Sequence, residues 1–523
     1  MRRNRVWIAA VAGFVLSFAN LVYAQNVTPV TNNSDAMVDV LKTLETKGVI
    51  THEEFEALKA KVTKDEQKAA EQQQTAVQQA VQQSAPQLKS VAMPQDQMAA
   101  DNNVTMMSNG VGFHTGRFDV TITGEVNGFY VQDRADNNPT HISCLLCEAS
   151  VGGRPSGAIR SGLLPGDLSF KISTQEHGWD VAVFFGMWPA IQNSATVGTV
   201  EDGVNGTAAL ATPGIDFRQQ FATLGHAHFG TLKIGRDLGL FGQEAILNDM
   251  TLLGAGSPGL SSAVTGVGAN QNPGNVTLGR IGVGYVYTDF IPQITYTTPS
   301  LHGLQGAFGV FTPYDDPLFA STTAYGNGQP SYQGKLTYAM GKHAVKAKFW
   351  SNFVTEREEP QFKSEGSGAR ATGVDYGFSG SWHGLGLVGY GYNGWGLGQA
   401  GLFWDGLTSE GTTGVTTRAS SGYYFQPSYS YKKFFFGYSY GQSILTAANA
   451  TDLDYLSTIG QAVEGFRANS SHIAQFRFAV TKWDNLVAEY THTRSEVQHI
   501  GTSDSGTPIT TSDSVALGTI VFF

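Results

Sequence analysis

From Phe118 onward the chain alternates apolar and polar residues. Phe118, Val120, Ile122, Val126 and Tyr130 interleave with Asp119, Thr121, Thr123, Glu125 and Asn127, so a strand here has one apolar and one wettable face. The same period recurs over Leu168–Thr174, Trp179–Trp188, Lys335–Met340, Val345–Phe353 and Ser471–Val480. Tight turns such as Gly341-Lys342-His343 and Lys482-Trp483-Asp484-Asn485 join some of these segments. Long Gly/Ser/Asn-rich stretches, including Asp136–Gly166 and Gly254–Gly279, separate others. Short turns alternating with long loops predict an antiparallel barrel that crosses a membrane on its strands. Residues 110–523 allow about 26 residues per strand and connection for 16 strands, or about 23 for 18, and either number leaves a lumen. The last strand carries Val515, Leu517, Val521 and Phe523 on one parity and ends on an aromatic residue.

The first 109 residues have a different texture. Arg2, Arg3 and Arg5 precede an apolar run from Val6 to Val22, and Ala24 offers a small residue for cleavage, so residues 1–24 read as an export signal. Residues 25–109 read as a short helical, coiled-coil-like extension and linker on the periplasmic side. Met37, Val38, Leu41 and Leu44 share a helical face, and Thr51 with Glu54 forms a capping box. A Gln/Ala-rich tract follows. Contact with peptidoglycan is one role for such a segment, and a solvated spacer is another.

Composition agrees with strands rather than apolar helices. Glycine makes up 63 of 523 residues and charged residues only 15%, against a usual ~25% charged. After Ala24 no apolar run is long enough for a membrane helix. The formal net charge of −10 argues against nucleic acid as a partner. Residues 110–523 carry 23 Lys and Arg against 32 Asp and Glu, which points to a mild preference for cations in any pore.

One stretch, FRQQFATLGHAHFGTLKIGR from Phe217 to Arg236, resembles a hairpin of the Gram-negative general porins. Arg218, Phe221, Gly225, Phe229, Gly230, Thr231, Leu232, Gly235 and Arg236 carry the likeness, although Leu224-Gly225 reverses the usual order. It continues at Gly279-Arg280, Tyr296–Pro299 and Gly303-Leu304, and returns over Phe478–Tyr490. The resemblance implies a homotrimer of barrels in the outer membrane, bordered by lipid and lipopolysaccharide. In each barrel a third loop, here between Asp237 and Gly279, would fold inward to narrow a passive pore. It makes Arg218, Arg236 and Arg280 candidates for the pore wall, facing Glu244 and Asp249 on the loop. The distal loop, Gly254–Val276, has no acid.

Patterns that suggest other chemistry do not hold up in context. Gly437-Tyr438-Ser439-Tyr440-Gly441 fits a nucleophile elbow by letters but lies within an alternating strand. Gly384–Gly389 fits a dinucleotide fingerprint, yet Tyr390, Tyr392 and Trp395 continue a strand where a helix should open. Cys144 and Cys147 form a lone CxxC, for which a local disulfide is the first reading. His226 and His228 read as turn residues rather than metal ligands. We therefore expect no enzyme, no cofactor and no metal site. A barrel tethered to peptidoglycan and a sheath around a partner protein are the alternatives to a pore.

Overall fold

A computed structural model describes residues 104–106, 111–135, 156–189, 191, 215–259, 276–313, 329–342, 344–360, 364, 366–403, 405–409, 411–458, 466–498 and 509–523, together with residue 42. Apart from residue 42, these lie in a compact unit spanning Asp101–Phe523. The expected export signal, the helical extension and the Cys144/Cys147 pair lie outside the described residues.

Sixteen antiparallel strands close into a barrel, which decides between the two strand numbers the chain length allowed. They are β1 Phe118–Ala135, β2 Asp167–Glu176, β3 Trp179–Pro189 and β4 Ile215–His226. Next come β5 Gly230–Leu238, β6 Phe290–Thr297, β7 Leu304–Phe311 and β8 Ser331–Lys342. The third group is β9 Val345–Glu358, β10 Ala369–Trp382, β11 Leu385–Trp395 and β12 Ala419–Tyr431. The last is β13 Phe434–Thr446, β14 Phe466–Ala479, β15 Asp484–Val497 and β16 Ile509–Phe522. Each pairs with its neighbour in sequence, and β16 returns to β1 with Phe522 opposite Glu125 and Ser512 opposite Ala135. The terminal Phe523 extends that seam. Its amide donates to Gly124 O at 3.0 Å, and its carbonyl accepts from Gly124 N at 3.1 Å. Closure removes the unpaired edge that an open sheet would expose.

Alternation decides which side chain meets which surroundings. On β9, Phe349 and Phe353 face outward and remain 48% and 42% exposed, whereas Trp350 and Val354 face inward and are buried. The outward positions of the other strands carry residues such as Leu232, Ile294, Phe436 and Leu517, an apolar surface suited to lipid. Inward positions are largely polar: Ser439, Ser443, Ser471, Gln475, Thr491 and Thr493 are all buried. Among the described residues, the outward face of β13 to β16 departs from this. There His492 Nδ1 lies 2.8 Å from Asp513, and Tyr438 Oη lies 2.6 Å from His472 Nδ1.

The wall is interrupted once. Ser156–Arg160 pairs with the upper part of β1 and β2 with the lower part, leaving residues 161–166 out of the ladder. Asn127 supplies the missing bonds: its amide donates to Leu164 O at 2.9 Å, and its carbonyl accepts from Gly162 N at 2.8 Å. The released segment then touches the inward loop, Leu163 N donating to Gly254 O at 3.0 Å.

Candidate pore constriction

The chain between β5 and β6 turns into the lumen. Its neck closes where Gly239 N donates to Asp289 O at 2.9 Å. Helix α1, Gln243–Leu247, follows Gly242, whose φ of 72° is left-handed and suits glycine. A 3₁₀ turn at Met250–Leu253 comes next, capped by Asp249, which accepts from Thr251 N at 2.9 Å. The outgoing and returning limbs meet at Gly256 and Gly279, both at positive φ (67° and 57°). A Cβ on Gly256 would collide with the Gly279 backbone. This close crossing explains why the loop is rich in glycine here.

Wall side chains hold the backbone of this loop. Gln333 accepts from Leu240 N and Phe241 N at 2.7 and 2.9 Å, and Asp375 accepts from Gly242 N at 2.7 Å. Gln426 accepts from Met250 N at 3.0 Å, and Tyr424 donates to Ala245 O at 2.8 Å. Across the lumen Gln475 donates to Met250 O at 3.1 Å, while Glu489 accepts from Ala255 N and Gly256 N. Buried carbonyls and amides of an irregular segment need such partners. An apolar cluster adds to them: Phe241, Leu278, Val283 and Tyr285 from the loop pack with Trp350, Tyr390, Tyr392 and Tyr424 from the wall.

The five residues expected to form the constriction are distributed differently. Glu244 lies on α1, as expected of a loop acid, but its partners are lysines. Lys335 on β8 is 3.1 Å from one carboxylate oxygen and Lys348 on β9 is 2.6 Å from the other. Burial pushes the Glu244 carboxyl up, but the two lysines together outweigh it and hold it below its ordinary range. Asp249 is buried within the loop, accepting from Thr251 Oγ1 at 2.6 Å and from Tyr285 Oη at 3.0 Å. Burial raises its carboxyl despite these bonds and the nearby Arg280 charge.

Arg280 is not a wall residue. Strand β6 begins only at Phe290, so Arg280 belongs to the returning limb and reaches out to the wall. Its Nε donates to Ser439 Oγ at 2.5 Å, and its Nη groups donate to Val283 O at 3.0 Å, Ser471 Oγ at 3.2 Å and Ser471 O at 3.3 Å. Burial brings this guanidinium down to about 10. Ser439, the middle residue of the apparent nucleophile motif, is therefore an anchor for the loop.

Arg218 does point inward, for a reason alternation does not give. Gly186 pairs with Gln219 but Trp188 pairs with Asp216, so β4 carries a bulge at 217–218 that turns Arg218 inside. It stands over the Trp188 ring, 5.7 Å from the centroid, beside a cavity of about 210 Å³ lined by Leu163, Leu252 and Phe290. Arg236 alternates in register with the outward-facing Leu232 and Ile234, opposite Pro292 on β6. It lies outside the set of inward groups that hold the loop. At the short-turn end, the His226 and His228 rings are 5.7 Å apart and His226 stacks on Phe229. Among the described residues no cluster of three metal-ligating side chains occurs.

No family model and no curated protein matches the sequence. Solved structures do. The chain is similar to the outer-membrane channel DcaP of Acinetobacter baumannii, with a TM-score of 0.53 at 13% identity over 80% of this chain and 99% of that one. The anion-selective porin of Comamonas acidovorans aligns with a TM-score of 0.47 at 13% identity, over 78% of this chain and 100% of that one. The fold is a porin fold.

Within a porin fold the unanticipated residues are Lys335 and Lys348. Both sit at inward positions of alternating strands, Lys335 beside the inward Gln333 and Thr337, Lys348 beside the inward Trp350 and Asn352. Alternation could have placed them in the lumen, but it could not say which inward residues the loop would face.

Proposed function

We propose that the protein is a passive diffusion channel for small hydrophilic solutes and ions in the bacterial outer membrane. One observation carries the reading: a closed barrel, apolar outside and polar inside, holds a loop across its lumen by bonds to strands on opposite sides. A folded-in loop narrows a water-filled barrel and sorts solutes by size and charge without covalent chemistry. The short-turn end then faces the periplasm.

A homotrimer fits the outward region of β13–β16, where His472, His492 and Asp513 replace apolar residues. Polar and ionisable groups are disfavoured against lipid, so a protein neighbour suits this surface better. The cation preference expected from overall charge has little local support. At the loop, Glu244 faces Lys335 and Lys348. Peptidoglycan contact through the N-terminal segment remains a proposal on sequence alone. Deleting residues 33–87 tests it: loss of envelope attachment with permeability kept would favour the tether.

Swelling of proteoliposomes in sugars of graded size tests the channel. The reading expects swelling with small sugars that falls off with solute size. Absence of swelling from correctly folded, inserted protein would contradict it and favour a sheath or tether.

A further inference from the structure

Between the loop and the short-turn end, the inward positions of β8 to β12 set lysines and serines among small and apolar residues such as Ala339, Gly341, Gly386 and Val388. Lys346 is paired with Ser381 and Lys348 with Ser379 across β9 and β10. Ser381 is paired with Gly386, and Gly386 with Ser428 on β12. Two residues before Ser428, Gln426 holds Asn248 and Met250 of the loop, so the loop roofs this wall. Together Asn248, Lys346, Lys348, Ser379, Ser381 and Ser428 border a cavity of about 530 Å³, open to the lumen.

Its charge is one-sided. Among the described residues, Lys346 and Lys348 are the charged groups on its wall, while Lys335, Glu244 and Asp375 stand at the edge of the loop, with Lys233 beyond them. The Lys335 and Lys348 ammonium groups act on each other electrostatically. Both Glu244 oxygens are engaged, one by each of these lysines. Lys346 is exposed toward the cavity wall, two residues from Lys348 and opposite a serine. Three ammonium groups thus stand against two carboxylates, Glu244 and Asp375, beside three hydroxyls that can donate. A bound carboxylate would receive charge-assisted bonds from lysine and neutral ones from serine. A cation would find the nearby carboxylates already occupied, Glu244 by the two lysines and the buried Asp375 by Gly242 N and Asn352.

We infer that this cavity is a binding subsite for small solutes bearing carboxylates, met on the periplasmic side of the loop. The inference rests on the channel reading for its place in a transport path. Lys346 and Lys348 remain open to water and salt, so binding is weak enough for release, as conduction through a site requires. The excess positive charge would also make the pore prefer anions, contrary to the sign of the whole barrel's charge.

Calorimetric titration of citrate into the purified, detergent-solubilised full chain tests the subsite independently of conduction. Wild type should bind citrate but not spermidine. Lys346→Gln should weaken citrate binding on the order of tenfold, the value of one lost charged hydrogen bond. Lys346→Glu should abolish it, and Ser381→Ala should weaken it less. Heat-modifiable migration on gels checks that each variant is folded. Citrate binding that is unchanged in both Lys346 variants, or spermidine binding as strong as citrate binding, would overturn the inference. Planar-bilayer recording separates the two readings. Conductance steps without Lys346-dependent citrate binding remove the subsite and leave the channel. Citrate binding without steps removes the channel and leaves the subsite.

Discussion

The inward loop meets the two sides of the lumen by different means. Toward β9–β12 it packs as well as bonds: Phe241, Leu278, Val283 and Tyr285 bury themselves against Trp350, Tyr390, Tyr392 and Tyr424, and Asp375, Gln426 and Tyr424 add hydrogen bonds. Toward β13–β15 it is held mainly through polar groups, with Ser439, Ser471, Gln475, Glu489 and Thr493 each bonded to loop atoms. Packing depends on shape and tolerates no cavity, whereas hydrogen bonds depend on partners and fail singly. The first side should therefore act as a hinge that fixes the loop's position. The second should act as a set of separable ties, with Arg280 joining several of them.

Substitutions can break or sharpen this contrast. The largest effects are expected at Trp350 and Arg280. Trp350→Ala should cost about 3–5 kcal/mol by opening a cavity in the packed side. Arg280→Ala should cost about 3 kcal/mol, because Ser439 Oγ, Ser471 Oγ and the carbonyls of Val283 and Ser471 lose a charged donor. Thermal unfolding and protease cleavage within the loop would measure both. If Arg280→Ala proved mild while Trp350→Ala unfolded the loop, the β9–β12 side would hold it without the ties to β13–β15.

Glu489→Ala should be intermediate, about 1–3 kcal/mol, since Ala255 N and Gly256 N lose their buried acceptor. Thr493→Val should be small, about 1 kcal/mol, for loss of the 3.1 Å contact with Ser257 Oγ. Equal costs for these two would argue that the polar ties act as one unit.

A pH effect should come last in size. Glu244 has a lowered folded value relative to 4.5. Its contribution is fully present above about pH 4.5 and is lost as pH falls through the lower folded value. Below that range the lysines lose their counter-charge, so anion preference in a salt gradient should rise. Glu244→Gln should show the raised preference at neutral pH and remove its pH dependence.

Much of this architecture was legible in the sequence. Alternation marked the strands, the short turns marked one end, and Phe523 fell on the closing strand. The inward loop was located because the Phe217–Arg236 hairpin and the later Tyr296–Pro299 bracket it. Arg280 was assigned to the wall because Gly279-Arg280 continues the motif resemblance, whereas the strand begins only at Phe290. In the fold Val283, Tyr285, Val286 and Tyr287 are buried on both parities, as suits a segment enclosed within a lumen. Arg236 was assigned inward by likeness of motif, but its parity with Leu232 and Ile234 turns it outward. Arg218 depends on a bulge, a one-residue shift for which the alternation gave no warning. The lysines that meet Glu244 come from strands about 90 to 100 residues away, a pairing no local pattern encodes.

On the reading proposed above, the docked loop sets the width of a passive channel. Single-channel recording in planar bilayers tests it most directly, comparing wild type with Arg280→Ala/Trp350→Ala. The account predicts discrete steps from the wild type, in groups of three for a trimer, and larger steps once the loop is released. Wild-type protein that is folded and inserted but gives no steps would contradict the channel. Steps of unchanged size in the released variant would contradict the role of the loop.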